Sequence, residues 1–539
     1  MICPAPEPVE GRWIALPQPT AFEPAGGLWA PARVRVVADG PGLDREAERI
    51  EGELKALGIA GACAAADPVL RLRLSPLPED PEPRSLSDTS TRRRSLSAGL
   101  RETRRGDSRD ESFLIEVADD VVVTAAGPVG VFRATRQLLH NLRAQGGVPR
   151  GSVQSAPAVA ERGLHLDAAR KHYPAAWIRQ QLHAAADVGI NVFQWHFSEN
   201  EGFRLESEAF GEVVSVAHVT RAEAAGIVAL ARDLHIGIVP SLDMPGHLRQ
   251  VLSAHPDLRL PPGLEPADPE HAGILGTDHA LDITRDEAVD FALRLIDDMA
   301  PVFPHSSRWN LGGDEFVAFE RIDDYPALTD AAHERFGPDA TGFDLLTAFV
   351  NRIAAHLRGR GLEPRVWNDG MLRSAVVELD PDVVLTWWTN WHRGMRPVSA
   401  AIAAGHRLVN VNDAMFYYVL GENAGYRHPT AERIWAADWH PGLFPGLWGE
   451  AGQGTVRQEL ARPYPEFLLG CSFAIWSDRP DAQTADEVAE GIRGPLRAMA
   501  ERAWNAGSAL ALAEFDEIDR AIGTAAAEPC DEGRPPVVS

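Results

Sequence analysis

The chain has 539 residues, 45% hydrophobic and 24% charged, enough for more than one domain with a sizeable core. Its 52 Lys and Arg against 77 Asp and Glu leave a formal charge of −25, which argues against a nucleic-acid or anionic-membrane partner. Four scattered cysteines (Cys3, Cys63, Cys471 and Cys530) without a CxxC argue against a disulfide scaffold or structural zinc, and no apolar run approaches the ~18 residues of a membrane span.

The opening "MICPAPEPVEGRW" lacks a basic stretch followed by an apolar run, so it does not read as a signal peptide, and a cytoplasmic protein is expected. Residues 1–155 read as a small α/β domain. "RVRVVA" (Arg33–Ala38), "VLRLRL" (Val69–Leu74), "SFLIEV" (Ser112–Val117) and "VVVTA" (Val121–Ala125) have strand length and β-branched content. "DREAERIEGELKALGI" and "GVFRATRQLLHNLRA" carry helical spacing. Residues 78–111, rich in Ser, Pro and Arg, interrupt this domain and read as a disordered insertion.

From Glu161 onward, short strands alternate with longer helices. The strands are Gly163–Ala168, Val192–Phe197, Gly237–Asp243, Ser307–Gly313, Pro364–Asp369, Val383–Trp388, Arg407–Asn412 and Cys471–Trp476. Helical patterns at Pro174–Val188, Thr220–Asp233, Asp286–Phe303 and Asp344–Gly361 separate many of them. Eight such strands within 156–505 predict an α/β fold, a (β/α)8 TIM barrel preceded by the small domain. "DEVAEGIRGPLRAMAERAW" closes the barrel as a helix, and 506–539 supply a C-terminal helix and tail.

The predicted strands end on Asp167, His196, Asp243, Asp314, Asn368, Trp388, Asn412 and Trp476. The C-terminal strand ends of such a barrel form its active face. There, "WNLGGDEFVAF" sets Gly312 and Gly313 before adjacent acids, Asp314 and Glu315. A bare Asp-Glu pair is most often two solvated side chains; the glycines, which allow a sharp bend and close ligand approach, favour a site.

Glycosidases ordinarily place two carboxyls on opposite sides of the scissile bond, ~5–5.5 Å apart in retaining enzymes and roughly 6.5–9.5 Å apart in inverting ones. Adjacent residues are poorly placed for that. They suit a reaction whose nucleophile belongs to the substrate, one acid protonating the leaving oxygen while its neighbour steers the internal nucleophile. Trp367, Trp387, Trp388, Trp391 and Trp476 lie at or just past strand ends, where aromatic faces pack on pyranose rings, although any single one is as readily a core residue. Asp478 could accept from sugar hydroxyls, and Arg162 could donate its planar fork to two of them, if it is not a surface ion pair. "PSLDMPGH" places Asp243 and His247 around a turn. These two with Asp314 and Glu315 could also be metal ligands, but no HxH, HExxH or DxD spacing supports that, so no metal is expected.

The motifs "RGLHLDAARKHYP", "NVFQWHFSENEGFRLE", "VPSLDMPGH", "LGGDEF", "VWND" and "FAIWSD" together resemble the family 20 glycoside hydrolases, the β-N-acetylhexosaminidases, from about Arg162 to Trp504. The resemblance implies an exo-acting retaining enzyme without cofactor, acting on oligosaccharides or glycoconjugates that end in N-acetylhexosamine. It implies Glu315 as general acid/base and Asp314 as the carboxylate that holds the 2-acetamido group and stabilises an oxazolinium intermediate. Asp314 beside Glu315 would favour the acid's proton, since a like charge disfavours ionisation. It further implies Tyr418 or Tyr417 on the acetamido oxygen and Arg162 on the outer hydroxyls. Asp243 and His247 would form a polar pair near the acid, and Trp367, Trp388 and Trp476 the pocket walls.

Two motifs depart from the family pattern. "ENEGFR" stands where "DDQGWR" is common, and "WSD" stands where "WxE" is common, making Asp478 one methylene shorter. The second resembles branches that act on disaccharide termini, which keeps a lacto-N-biosidase-like activity open as an alternative. An inactive glycan-binding barrel is the other.

Overall fold

The computed structural model describes residues 11–61, 64–77, 110–264, 276–392, 394–448 and 455–524. All but the last two residues of the expected insertion at 78–111 fall outside these, as do Cys3, Cys63, Cys530 and the tail from 525. The chain divides into two compact units, one of 1–157, 179–189 and 509–539, the other of 158–178 and 190–508.

The first unit is built on a mixed sheet. Its strands are β1 (Ala21–Trp29), β2 (Arg33–Asp39), β3 (Ala60–Gly61), β4 (Val69–Leu74), β5 (Phe113–Val117), β6 (Val121–Ala125) and β7 (Val148–Ser155), in the order β1-β7-β5-β6-β4-β2-β3. The four strands expected from the sequence are all present. The edge strand β1 and its partner β7 are not obvious in the sequence: "AFEPAGGLW" carries one Pro and two Gly and is largely exposed, so it lacks a buried alternating face. Helix Pro128–Gln145 begins on proline and ends at Gly146 in the left-handed region, φ 71°. Its His140 and Arg143 hold Asp187 at 3.1 and 2.8 Å, and its Arg133 holds Glu111 at 2.7 Å.

The second unit is the barrel. Its strands are β8 (Glu161–Asp167), β9 (Val192–Glu199), β11 (Gly237–Met244), β12 (Arg308–Gly312), β13 (Glu363–Trp367), β14 (Val384–Trp387), β15 (Leu408–Asn410) and β19 (Leu468–Trp476). Each pairs in parallel with the next, and β19 returns to β8, so the sheet closes. Three lesser pieces accompany it: β10 (Gly202–Phe203) beside β9, and the hairpin β17 (Leu443–Trp448) and β18 (Thr455–Glu459). The seventh barrel strand is interrupted. After β15 the chain makes a short helix, Asp413–Phe416, then resumes as β16 (Tyr417–Val419) farther along the same neighbour, β19. Helices expected between strands are present, several fixed by capping boxes such as Thr220 with Glu223 and Thr484 with Glu487. No described helix is long and apolar enough to cross a membrane.

Alternation along the strands sorts their side chains. On β8, Glu161, Gly163, His165 and Asp167 share the inner face, while Arg162, Leu164 and Leu166 share the outer one. At the N-terminal end the interior is an ion-pair cluster: Arg365 grips Glu161 through two bonds of 2.8 Å, Arg308 approaches Glu161 at 3.2 Å, and Glu363 takes Arg365 and Arg407 at 2.7 and 2.8 Å. Burial would raise the Glu161 carboxyl, but Arg308 and Arg365 bring it down to about 2. On β19, Cys471 is fully buried with a free thiol, pushed up to about 12 by that burial.

Candidate active site

Asp314 and Glu315 follow β12 at the C-terminal mouth of the barrel. Gly312 and Gly313 both take positive φ, 84° and 88°. A side chain at either would collide, its Cβ lying 2.7 Å from Asp243 Cα or 2.5 Å from Val366 Cγ2. The two glycines therefore let the chain turn tightly against β11 and β13. Glu315 itself has φ 42°, and His247 has φ 56°, conformations a non-glycine residue rarely adopts. The two acids end in different surroundings: the Asp314 side chain is 11% exposed and that of Glu315 is 50% exposed. Asp314 Oδ1 is buried without a hydrogen-bonding partner.

His247 stands between three carboxylates. Its Nδ1 lies 2.6 Å from Glu199 Oε1, and its Nε2 lies 3.5 Å from Asp314 and 3.7 Å from Glu315. Burial would lower the imidazole, but Glu199 and Asp314 raise it well above its ordinary range. Glu199 also pairs with Arg170, and despite its burial His247 and Arg170 hold it well below the usual carboxylate range. Burial, with the adjoining Asp243, pushes Asp314 well upward, and Asp243 is itself raised by burial. These two acids therefore resist carrying two charges together.

Aromatic side chains wall the same mouth. Trp367 and Trp476 have ring centres 5.9 Å apart, Tyr417 lies 5.7 Å from Trp476, and Tyr417 stacks on Trp388 at 5.7 Å with planes 4° apart. Asp369 joins wall to acids, accepting Trp388 Nε1–H and the Glu315 N–H at 3.1 Å each. Asn368 Oδ1 accepts the Trp388 N–H at 2.9 Å. Beyond it, Asp413 Oδ2 accepts from Trp391 Nε1 at 3.0 Å and from the Tyr426 hydroxyl at 3.1 Å, while burial pushes its carboxyl up to about 6.

Asp243, His247, Asp314, Glu315, Trp367, Trp388, Tyr417, Trp476 and Asp478 thus come together at one face. Arg162 does not. It lies near the start of β8 on the outer face, fully buried, with its guanidinium over the Trp504 ring at 4.9 Å and donating to Val159 O at 2.9 Å. Five residues of strand, about 17 Å, separate it from the mouth. The guanidinium at the mouth is that of Arg170, which reaches Asp167 at 3.0 Å, Asp478 at 3.8 Å and Glu199. Tyr418 also faces elsewhere: its ring stacks on His428 at 3.9 Å and its hydroxyl accepts from Gln483 at 2.8 Å. Alternation along β16 explains why only one of the two tyrosines can face the pocket. Trp387 points outward too, bonded to Asn390 at 2.6 Å and edge-on to Phe444.

The sequence reading missed Arg170, Glu199, Asp369, Asp413 and Tyr426. Glu199 had a findable signal, since it opens the "ENEGFR" motif, and β9 runs two residues beyond the expected end at Phe197 to reach it. His196, Glu199 and Asp243 each bring one potential metal-ligand atom within 4.8 Å of the others. Glu199 is already engaged by two cationic side chains there, so a divalent ion would face Arg170 and His247.

A closed parallel barrel with this acid pair, aromatic wall and polar rim has the form of a carbohydrate-processing site. Residues 160–507 match the model of the glycosyl hydrolase family 20 catalytic domain, and the chain belongs to that family. It is 27% identical over 412 residues to a lacto-N-biosidase of Bifidobacterium bifidum, covering 76% of this chain and 34% of that protein. It is 23% identical over 373 residues to a chitooligosaccharidolytic β-N-acetylglucosaminidase of Bombyx mori, covering 66% and 58%. The chain therefore spans only about a third of the first relative's length and little more than half of the second's. Among solved structures, a β-N-acetylhexosaminidase of Bacteroides fragilis superposes with a TM-score of 0.65 at 20% identity, over 94% of both chains. An exo-β-N-acetylglucosaminidase of Vibrio harveyi in complex with N-acetylglucosamine superposes at 0.69 and 17% identity, over 94% and 76%. These superpositions speak for the fold.

Proposed function

We propose that the protein is an exo-acting retaining β-N-acetylhexosaminidase whose nucleophile is the substrate's own 2-acetamido oxygen. The observation that carries this reading is the buried Asp314 Oδ1, an acceptor with no donor, beside a half-exposed Glu315. An amide N–H entering between the aromatic walls would supply that donor. Family 20 is itself a named exception to the two-carboxylate rule, which adjacent acids cannot satisfy.

In this reading the acetamido oxygen attacks C1 while the glycosidic C1–O bond breaks and Glu315 gives its proton to the departing oxygen. The resulting oxazolinium is positive, and Asp314, accepting its N–H, favours that charge once the site is filled. Water then adds to C1 from the vacated side, Glu315 takes its proton, and the ring opens to restore the acetamide with retained configuration. Trp367, Trp388 and Trp476 enclose the sugar and its methyl, and Tyr417 meets the acetamido oxygen. Arg170 and Asp478 take the outer hydroxyls, and His247, anchored on Glu199, holds both acids in place.

Product analysis on defined N-acetylglucosaminides and N-acetylgalactosaminides tests this. Release of N-acetylhexosamine and strong inhibition by an N-acetyl thiazoline analogue are expected. Equal cleavage of sugars lacking the 2-acetamido group would sink the substrate-assisted mechanism. A second reading, release of a disaccharide, is favoured by the lacto-N-biosidase among the relatives and by Asp478 in place of the commoner glutamate. Lacto-N-tetraose separates the two: the intact terminal disaccharide appears under the second reading and not under the first.

A further inference from the structure

We propose that the stacked pair Trp391–His392 is the floor of a leaving-group subsite, taking the pyranose ring that departs with the proton from Glu315. This rests on the hydrolase reading above. Trp391 is 41% exposed, unlike the other tryptophans of the wall, and yet it is held on three sides. Its ring stacks on His392 at 3.9 Å and 25°, its edge meets Trp388 at 6.0 Å and 89°, and its N–H is bound to Asp413 at 3.0 Å. His392 is tied in turn to Glu320 at 2.9 Å, five residues beyond Glu315 on the same loop. Trp391 and Glu315 are thus joined twice, through His392 and Glu320 and through Trp388 and Asp369.

The direction follows from the acids. Asp314 is sunk in the wall, whereas Glu315 faces outward. A proton donor must lie on the leaving-group side of the scissile bond, so the outward side is where the departing sugar sits. An indole already fixed there loses little rotamer freedom on binding, and its apolar face suits a sugar ring. Trp448, 65% exposed, lies nearby, its backbone N–H donating to Asn390 O at 3.3 Å just before Trp391.

The test compares two substrates with the same glycone, N-acetylglucosaminyl or its 3-O-galactosyl form, carried either as the fluoride or as the β-glycoside of lactose. Fluoride has no ring to stack. Trp391→Ala is expected to raise KM for the lactoside on the order of tenfold while changing kcat/KM for the fluoride less than about twofold. Trp391→Phe, which keeps a face but loses the bond to Asp413, is expected to retain most of the lactoside affinity. Equal losses on both substrates, or an unchanged lactoside KM, would overturn the subsite. A wild-type protein that cleaves the fluoride but not the lactoside would overturn it too while leaving the hydrolase reading standing. Cleavage of neither would overturn both.

Discussion

The two ends of the barrel both carry buried ionisable side chains and treat them oppositely. At the N-terminal end, Glu161, Arg308, Glu363, Arg365 and Arg407 neutralise one another at 2.7–3.2 Å. At the C-terminal end, both Asp243 oxygens, Asp314 Oδ1 and His196 Nε2 are buried with no hydrogen-bonding partner. Leaving a buried polar atom unpaired costs about 1–3 kcal/mol, so the upper end holds a strain that the lower end avoids. A fold bears such a cost where a ligand will relieve it. Asymmetry of this kind distinguishes a binding face from a structural one, which mere counting of charged residues does not.

The sharpest way to break that comparison is Glu315→Gln. Turnover on sugar leaving groups should fall by roughly 10³-fold with no loss of melting temperature, general acid catalysis being worth about 10²–10⁴. Near-wild-type rates would remove Glu315 from its role. Asp314→Asn comes next, with an expected loss of roughly 10²-fold in kcat on N-acetyl substrates, comparable to removing one group aimed at developing charge. An unchanged kcat would mean that the orphaned oxygen is not there for the acetamide. Glu161→Gln should do the reverse, destabilising by about 3 kcal/mol in a denaturant melt because it removes the buried carboxylate that Arg365 and Arg308 share, while kcat holds. A drop in kcat without a loss of stability would erase the division between the two ends.

The smallest effect concerns pH. Asp413 sits at about 6, so the folded state binds its proton more tightly than the unfolded chain does. That contribution favours folding at low pH and is lost as pH rises toward 6. Relative to Asp413→Asn, the wild type should therefore lose about 1 kcal/mol between pH 5 and pH 7. Glu161, drawn down to about 2, works with the opposite sign: its stabilisation is present above its unfolded value of 4.5 and fades as pH falls through 2. Melting temperatures of both variants across pH 3–8 would show the two slopes crossing; parallel slopes would contradict the contrast.

Much of this was legible in the chain. All eight barrel strands were found to within a few residues, because strands buried on both faces read as short apolar runs between well-capped helices. The acid pair was legible because the two glycines mark a bend. Arg162 was misassigned for want of parity: one residue along a strand moves a side chain to the other face, and position within the strand decides which end it occupies. Tyr417 and Tyr418 could not be separated for the same reason, since β16 begins only after a break that hydrophobic pattern does not reveal. Asp369 and Asp413 act through bonds to tryptophans distant in sequence from the acids, and such pairings exist only once the strands lie side by side.

Cys471 carries a consequence of a different kind. It lies on β19, the strand that meets β15 on one side and β8 on the other, where the last strand closes onto the first. Alkylating reagents react with the thiolate and need access to it, and this sulfur is buried and weakly acidic. It sits opposite Arg162, on the outer face of the barrel, so its modification rate, followed by mass on the peptide that contains it, would record how often the layer covering that face lifts away from the closing strand. The cover over the closing strand thus comes with its own clock, readable in the wild-type sequence without an added probe.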